Sequence, residues 1–205
     1  MGWVSIDLIV VIALAYLIGS IPSAYLAGRL LKGTDIREEG DRNPGAGNAY
    51  RTIGPKAGIA VALVDVGKGA VAVLIARGLT GDTGVEMAAG VVAVVGHSWP
   101  IFLQLRGGRG AASTVGVFIA LIPIPAIPLS LASLAFLPIT KSVTIVLSLI
   151  MIPMPILAWL TGASYYLVAY SVGLPIIVGI RHYLTTRKLH RPEGGQAQGQ
   201  ALPQG

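Results

Sequence analysis

The chain has 205 residues, of which 54% are hydrophobic and only 12% are charged. Soluble domains carry about 25% charged residues, so this composition excludes an ordinary soluble domain and indicates a membrane protein. Fifteen lysines and arginines outnumber nine acidic residues. In so apolar a chain we interpret this excess as a membrane-topology signal and expect no nucleic-acid partner. The absence of cysteine excludes disulfides, thiolate metal sites and cysteine nucleophiles together.

Long apolar stretches predict spanning helices, because membrane strands would alternate apolar and polar residues. These stretches are 3–28, 57–79, 86–105, 111–139, 142–160 and 163–180. The first lacks the basic start of a signal peptide, so we interpret it as a retained helix. Three prolines interrupt the fourth and predict two short helices there. The predicted fold class is an all-α integral membrane protein with about seven transmembrane helices, some of them short and proline-broken.

The distribution of basic residues predicts the orientation of these helices. Seven crossings with the N-terminus outside place thirteen of the fifteen lysines and arginines on the cytoplasmic side and leave Arg77 on the other. The C-terminus is then cytoplasmic, as the basic tail requires. We expect residues 1–191 to form a single polytopic membrane domain. The polar, glycine-rich segment 192–205 is predicted to be a disordered cytoplasmic tail.

Two loops carry most of the polar residues that could bind a ligand or take part in catalysis. In the segment 40–51, glycines and asparagines allow backbone N–H groups to converge on an anion, and Arg42 and Arg51 add guanidinium groups that match phosphate. The alternative is that these arginines face lipid headgroups. In the segment 106–113, a glycine turn leads into a helix start that suits phosphate, although it would also serve as a tight connection without a ligand.

Few other side chains offer acid, base or nucleophilic chemistry. Asp65 and Lys68 stand three residues apart inside an apolar stretch, where they could pair as a structural or a functional ion pair. His97 and His182 are the available general bases, and His190 is expected to be solvated. No spacing indicates a metal site, and neither a phosphate-binding Walker motif nor a serine-nucleophile elbow is present.

Together these segments resemble the acyl-phosphate-dependent glycerol-3-phosphate acyltransferases of the PlsY type. The resemblance runs from Ala15 to about Glu193. It rests on the segments Tyr16–Tyr25, Asp35–Gly40, Asn43–Ala46 with Asn48, Arg51 and Gly54, then Asp65, Lys68–Gly69, Gly96–His97, Pro100, Gly107–Gly108 and Gly110. It implies seven helices and an active site at the cytoplasmic face of the cell (inner) membrane. It implies acyl transfer from a fatty acyl phosphate to the 1-hydroxyl of glycerol 3-phosphate, giving lysophosphatidic acid in phospholipid synthesis.

By this resemblance, the expected catalytic residues are His182, Arg51 and Asn48. The expected phosphate-binding residues are Asn43, Gly45, Ala46, Arg51, Lys68, His97, Gly107, Gly108, Arg109 and Gly110. No cofactor or metal is implied. The expected partners are acyl phosphate, glycerol 3-phosphate and membrane lipids; the residues do not predict an oligomeric state.

Several positions depart from the family pattern. Asp41, Arg42 and Gly47 stand where the family usually has serine, glycine and threonine, Arg109 replaces a lysine, and Thr185 replaces an asparagine. A carboxylate beside a phosphate site would repel the substrate, so we expect Asp41 to be paired with an arginine, Arg42 in the first place and Arg51 in the second. The alternative function is that of a catalytically impaired member that binds a phosphorylated lipid or regulates a partner enzyme.

Overall fold

A computed structural model of the chain describes residues 6–189, and every regular element in that range is helical. The predicted tail 192–205 and His190 lie outside the described residues. The α-helices are α1 (Ile6–Gly19), α2 (Ser23–Lys32), α3 (Ala46–Thr52), α4 (Pro55–Thr80), α5 (Thr83–Ser98), α6 (Ala111–Leu121), α7 (Pro123–Leu134), α8 (Leu137–Thr140), α9 (Val143–Met151), α10 (Met154–Leu160) and α11 (Tyr165–Leu189).

Five helical segments of the described chain are long and apolar enough to cross a membrane, and two shorter apolar helices accompany them. The long segments are Asp7–Lys32, Pro55–Thr80, Thr83–Leu103, Val143–Leu160 and Tyr165–Thr186; the short ones are α6 and α7. The expected all-α membrane fold is thereby confirmed, including the break between α6 and α7 at a proline. With 11 residues, α6 rises only about 16 Å, roughly half of a bilayer core.

Proline also interrupts two of the long segments, which the sequence pattern did not predict. The helix of the first span is interrupted between α1 and α2, next to Pro22, and that of the fourth between α9 and α10, next to Pro153. Proline lacks the backbone N–H that would continue the helix, so the chain turns there. Pro128 behaves differently, because it lies inside α7 without ending it.

Large apolar side chains cover the outside of the bundle. Leu30 is 81% exposed, Ile139 77% and Ile152 76%. Such side chains would be unfavourable in water, but they suit contact with lipid tails.

The centre of the fold is α4, which packs against α1, α5 and α6. Its contact with α6 is a backbone-to-backbone approach: a Cβ atom on Gly116 would lie 1.8 Å from the Val66 carbonyl oxygen. Small residues are the usual means by which membrane helices approach this closely. The approach brings the start of α6, and the loop before it, against the charged middle of α4.

Arg77, the basic residue expected on the outer face, lies near the end of α4. Its Nη2 atom donates to the Glu86 carboxylate on α5 at 2.7 Å, and to the Ala120 carbonyl at the end of α6 at 2.8 Å. The Asp82 carboxylate accepts the backbone N–H of Val85 and caps the start of α5. These contacts tie three helices together at the end where α4 and α5 meet.

Candidate active site

A cavity of about 400 Å³ lies among the 43–47 segment, the start of α6, α9 and α11. Seven of the expected site residues line it: the phosphate-binding candidates Asn43, Gly45, Ala46, His97, Arg109 and Gly110, and the catalytic candidate His182. The apolar side chains Leu147, Met151, Ile152, Pro175 and Val178 also line it. The cavity therefore presents polar groups and apolar walls to the same occupant.

The first loop is built around the side chain of Asn48. This side chain is fully buried, and its Nδ2 donates to the carbonyl oxygens of Ile36 at 3.1 Å and Glu39 at 2.9 Å. Its Oδ1 accepts the backbone N–H of Asp41 at 3.3 Å. The amide is thus engaged in holding the loop, and Asn48 does not line the cavity. Its contacts are those of a positioning residue.

Asp41 is paired with arginines, as expected, but Arg42 is not one of them. Its Oδ2 accepts from Arg51 Nη2 at 2.8 Å and lies 3.6 Å from Arg109 Nη1. The first choice was therefore wrong and the second was right. The reason lies in the backbone: Arg42 has a left-handed φ of 57°, and its side chain lines a different cavity.

Arg109 joins the two polar loops. Its side chain is only 14% exposed, against 48% for Arg51. Burial lowers the pKa of Arg109 from its ordinary value, the carboxylate of Asp41 opposes this shift, and the nearby Arg51 adds to it. Its Nε donates to Thr185 Oγ1 on α11 at 3.4 Å. Thr185, which stands where the family usually has asparagine, is therefore in contact with Arg109.

A buried charged cluster lies behind the cavity. Lys68 Nζ lies 2.8 Å from Asp65 Oδ1, which confirms the predicted pair, and 3.3 Å from His97 Nδ1. Ser23 donates its hydroxyl to the same Asp65 oxygen, and Lys68 also donates to the Ile21 carbonyl at 2.8 Å. Asp65 lines the cavity, and its second oxygen has no hydrogen-bond partner in the described chain.

Four of the expected phosphate-binding residues do not line the large cavity. One of them, Arg51, contacts the Asp41 carboxylate instead, and the other three lie near His97. Lys68, Gly107 and Gly108 line a crevice of about 10 Å³ on the other side of His97, room for one water molecule at most. The backbone N–H of Gly108 donates to the His97 carbonyl at 3.1 Å. These residues therefore stand close to His97 and support its position.

Helix α9 contributes residues that sequence reasoning missed. Thr144 and Ser148 line the cavity. A Cβ atom on Gly47 would lie 2.8 Å from Thr144 Oγ1, so the Thr144 hydroxyl fills the space of the threonine that the family usually carries at position 47. The signal available in the sequence was weak: two hydroxyl residues four apart in an apolar stretch, on one helical face.

The chemical groups that residues 6–189 bring to the cavity indicate which kind of ligand it can bind. No group of three or more histidine, cysteine, aspartate or glutamate side chains there is arranged to hold a metal ion. The cavity lining instead offers the Arg109 guanidinium, the imidazoles of His97 and His182, the hydroxyls of Thr144 and Ser148, backbone amides, and the carboxylate of Asp65, which is paired with Lys68. These groups suit an anionic substrate with an apolar portion, which is the chemistry of a membrane-embedded enzyme of lipid metabolism.

Comparison with known proteins agrees with this class. A family model described as glycerol-3-phosphate acyltransferase matches residues 9–191, so the chain belongs to the glycerol-3-phosphate acyltransferase family. Glycerol-3-phosphate acyltransferase 4 of Dehalococcoides mccartyi is 42% identical over 181 residues, which cover 86% of this chain and 96% of that protein. Glycerol-3-phosphate acyltransferase of a Synechococcus species is 38% identical over 185 residues, covering 88% and 90%.

Two solved structures share the fold. The crystal structure of PlsY (YgiH), an integral membrane glycerol 3-phosphate acyltransferase, in its glycerol 3-phosphate form has a TM-score of 0.76 and 29% identity, covering 89% of this chain and 91% of that one. The lysophosphatidic acid form has a TM-score of 0.73 and 28% identity over the same shares. The chain is accordingly an integral membrane acyltransferase of this family.

Proposed function

We propose that this protein transfers a fatty acyl group from acyl phosphate to the 1-hydroxyl of glycerol 3-phosphate, releasing lysophosphatidic acid and inorganic phosphate. The observation that carries the proposal is the mixed lining of the 400 Å³ cavity, with Arg109 and His182 on the same cavity as Met151 and Val178. An acyl acceptor that bears a phosphate needs the first pair, and an acyl chain needs the second.

In this proposal Arg51 and Arg109 hold substrate phosphate. Both now contact the same oxygen of Asp41, which shows that their guanidinium groups converge on one anionic position. A phosphate placed there would receive charge-assisted hydrogen bonds from both. Asn43, Gly45 and Gly110 add polar groups to the lining, and Asn48 maintains the first loop, which carries Asn43 and Gly45.

The proposed reaction needs orientation more than a protein nucleophile. The acceptor hydroxyl oxygen attacks the acyl carbon, a new C–O bond forms, and the bond from that carbon to the phosphate oxygen breaks. Phosphate leaves with the bonding pair. Holding both substrates in one cavity and neutralising their charge lowers the barrier, because acyl phosphate is already activated. The hydroxyl proton has two acceptors in reach of this arrangement: the His182 imidazole and a substrate phosphate.

Substitution of His182 separates these two acceptors. If His182 takes the proton, His182→Gln lowers kcat by about 10² or more with a small change in KM. If a substrate phosphate takes it, kcat falls by less than about ten-fold.

We further propose that the protein lies in the cell (inner) membrane and that its active site faces the cytoplasm. The proposal is supported by the distribution of charge: the first loop and the glycine-rich loop contribute to the cavity, whereas Arg77 near the end of α4 pairs with Glu86 near the start of α5. Reporter fusions after Arg51, Arg109 and Arg191 should all report a cytoplasmic position. A periplasmic signal after Arg191 would contradict the seven-crossing topology.

The decisive experiment supplies purified protein with palmitoyl phosphate and radiolabelled glycerol 3-phosphate and measures labelled lysophosphatidic acid. We expect turnover by the wild-type protein and a loss of at least about ten-fold in kcat/KM for Arg51→Ala, since a hydrogen bond to a charged group contributes roughly 1.5–3 kcal/mol. Lys56→Ala is the matched control, because Lys56 is an exposed cation at the start of α4 that lines no described cavity.

A folded wild-type protein that binds glycerol 3-phosphate without forming product would contradict the proposal. That result would instead favour the impaired, lipid-binding or regulatory alternative.

A further inference from the structure

A second cavity, of about 520 Å³, lies beside the active site but shares no lining residue with it. Four arginines line it, contributed by the first loop, the glycine-rich loop and α11: Arg37, Arg42, Arg106 and Arg181. The ring of Trp99 and the hydroxyl-bearing residue Thr185 also line it. Side chains from three separate parts of the chain thus converge on one space.

The charge in this second cavity is not balanced. Its lining contains two carboxylates, Asp35 and Glu38, against the four arginines. Asp35 is already engaged, because its Oδ2 lies 2.7 Å from Arg37 Nη2 and 3.6 Å from Arg29 Nη2. Neither Arg42 nor Arg106 has an ion-pair partner within the described part of the chain. The cavity therefore keeps a positive excess that an anion would neutralise.

Arg181 is held in place by two contacts, and one of its hydrogen-bond donors has no partner among the described residues. Its Nη2 donates to the Ser98 carbonyl at 3.1 Å, and its guanidinium lies 4.8 Å from the centre of the Trp99 ring. Its Nε is buried and has no acceptor among the described residues. A buried guanidinium donor without a partner is costly, and an anion in the cavity would supply the missing acceptor.

Arg42 adds an independent sign of function. It adopts a left-handed φ of 57°, an uncommon conformation for a side chain of this size. Backbone strain of this kind persists where surrounding structure imposes it, and it is concentrated at ligand sites. Here Arg42 lines the second cavity, whereas the preceding residue, Asp41, pairs with Arg51 and Arg109.

The second cavity also adjoins apolar surface. Leu105 lines it and is 54% exposed, and Ile101 and Phe102 on the same short segment are exposed as well. Trp99 is a residue type that favours the membrane–water interface. An occupant of this cavity can therefore combine an anionic group with an apolar portion, although the arginines need only the anionic group.

We propose that the second cavity is a binding site for a phosphate group, carried either by an anionic lipid headgroup or by free phosphate, and distinct from the active site. The inference does not rest on the proposed acyl transfer, since none of the four arginines is assigned to the active site; Gly107 is the one expected phosphate-binding residue that also lines this cavity. The two sites are nevertheless linked. Thr185 lines the second cavity and accepts a hydrogen bond from Arg109, which lines the active-site cavity, and Arg181 directly precedes His182 in the sequence. Occupancy of the second cavity is thus placed to influence the active-site arginine.

Trp99 provides a local reporter of occupancy. In a Trp3→Phe/Trp159→Phe background, Trp99 is the sole tryptophan, and its fluorescence should change saturably as a ligand reaches Arg181. One titration uses inorganic phosphate, and a second uses dihexanoylphosphatidylglycerol with the protein in neutral detergent. If inorganic phosphate saturates the signal with an affinity equal to or higher than that of the lipid, the site is assigned to free phosphate. If the lipid binds with the higher affinity, the site is assigned to a lipid headgroup. No saturation by either probe overturns the proposal.

Two exposed arginines give the specificity test. Arg42→Gln and Arg106→Gln should each lower the affinity for the tighter-binding probe by at least about ten-fold. Lys56→Gln, which removes the same charge elsewhere, should change that affinity by less than about two-fold. The signal should persist in Arg51→Ala, which impairs the active-site anion position. Unchanged affinity in both arginine variants, or loss of the signal in Arg51→Ala, would overturn a separate second site.

Discussion

The Arg51 guanidinium and the Asp41 carboxylate are joined by a 2.8 Å hydrogen bond from Nη2 to Oδ2, and Arg109 lies 3.6 Å from the same oxygen. A family position that usually carries serine thus bears a carboxylate that occupies the two guanidinium groups proposed to bind substrate phosphate. The carboxylate sits where a phosphate bound by both arginines would place an oxygen, so a phosphate bound there would have to compete with it.

Removing the charge of Asp41 should therefore strengthen substrate binding. Two unit charges 4 Å apart interact by about 4 kcal/mol at an effective dielectric of about 20. Asp41 is partly exposed, so we expect a smaller effect in Asp41→Asn: a fall in KM for glycerol 3-phosphate of about ten-fold, equal to about 1.4 kcal/mol. Steady-state kinetics measures it, with Glu39→Gln as the control. A rise in KM would mean that Asp41 serves to hold the two arginines in place.

The contact between Gly47 and Thr144 makes a second prediction. Gly47→Thr, which restores the usual family residue, should destabilise the protein by about 1–3 kcal/mol because its Cβ would lie 2.8 Å from Thr144 Oγ1. Thermal unfolding in detergent measures this loss. The double variant Gly47→Thr/Thr144→Ala should recover most of it, since the crowding hydroxyl is gone. Equal unfolding temperatures for the single and double variants would contradict a steric coupling.

The buried pair of Asp65 and Lys68 makes a third prediction. Lys68→Met leaves the Asp65 carboxylate buried without its cation and should cost about 3–5 kcal/mol of stability. Asp65→Asn/Lys68→Met should be the more stable of the two variants, because it removes both charges. Thermal unfolding in detergent compares them, and Lys56→Met controls for loss of a surface lysine. A single variant as stable as the wild type would show that the ion pair adds no stability.

Asp35 makes a prediction about pH. Its hydrogen bonds with the Arg37 side chain lower the pKa of the Asp35 carboxyl from its ordinary value of 3.8, against the opposing effect of burial. A lowered folded-state pKa stabilises the protein above the ordinary value, and the stabilisation disappears as pH falls through the folded-state pKa. Asp35→Asn should therefore be less stable than the wild type at pH 6, and the difference should shrink below about pH 4. A difference in unfolding temperature that is constant from pH 6 to pH 3 would contradict this assignment.

Composition and pattern were sufficient for the membrane fold. The apolar stretches predicted helices because backbone polar groups in lipid must be satisfied within a helix, and that requirement acts locally. The break between α6 and α7 followed from proline for the same reason. Pro128 shows the limit of this reasoning, since it lies inside α7 without ending it.

The loops were recognisable from their residues, but their side-chain partners were not. The sequence alone determined that Asp41, Arg42, Arg51 and Arg109 belong to two polar loops of a helical membrane protein and that Asp41 needs a cation. Only the tertiary structure decided which cation, because it brings Arg51 and Arg109 to the Asp41 carboxylate, whereas the left-handed Arg42 lines the second cavity. It also brought Thr144, remote in the sequence, against Gly47. Such contacts depend on how helices pack in three dimensions, which no local pattern of residue types records.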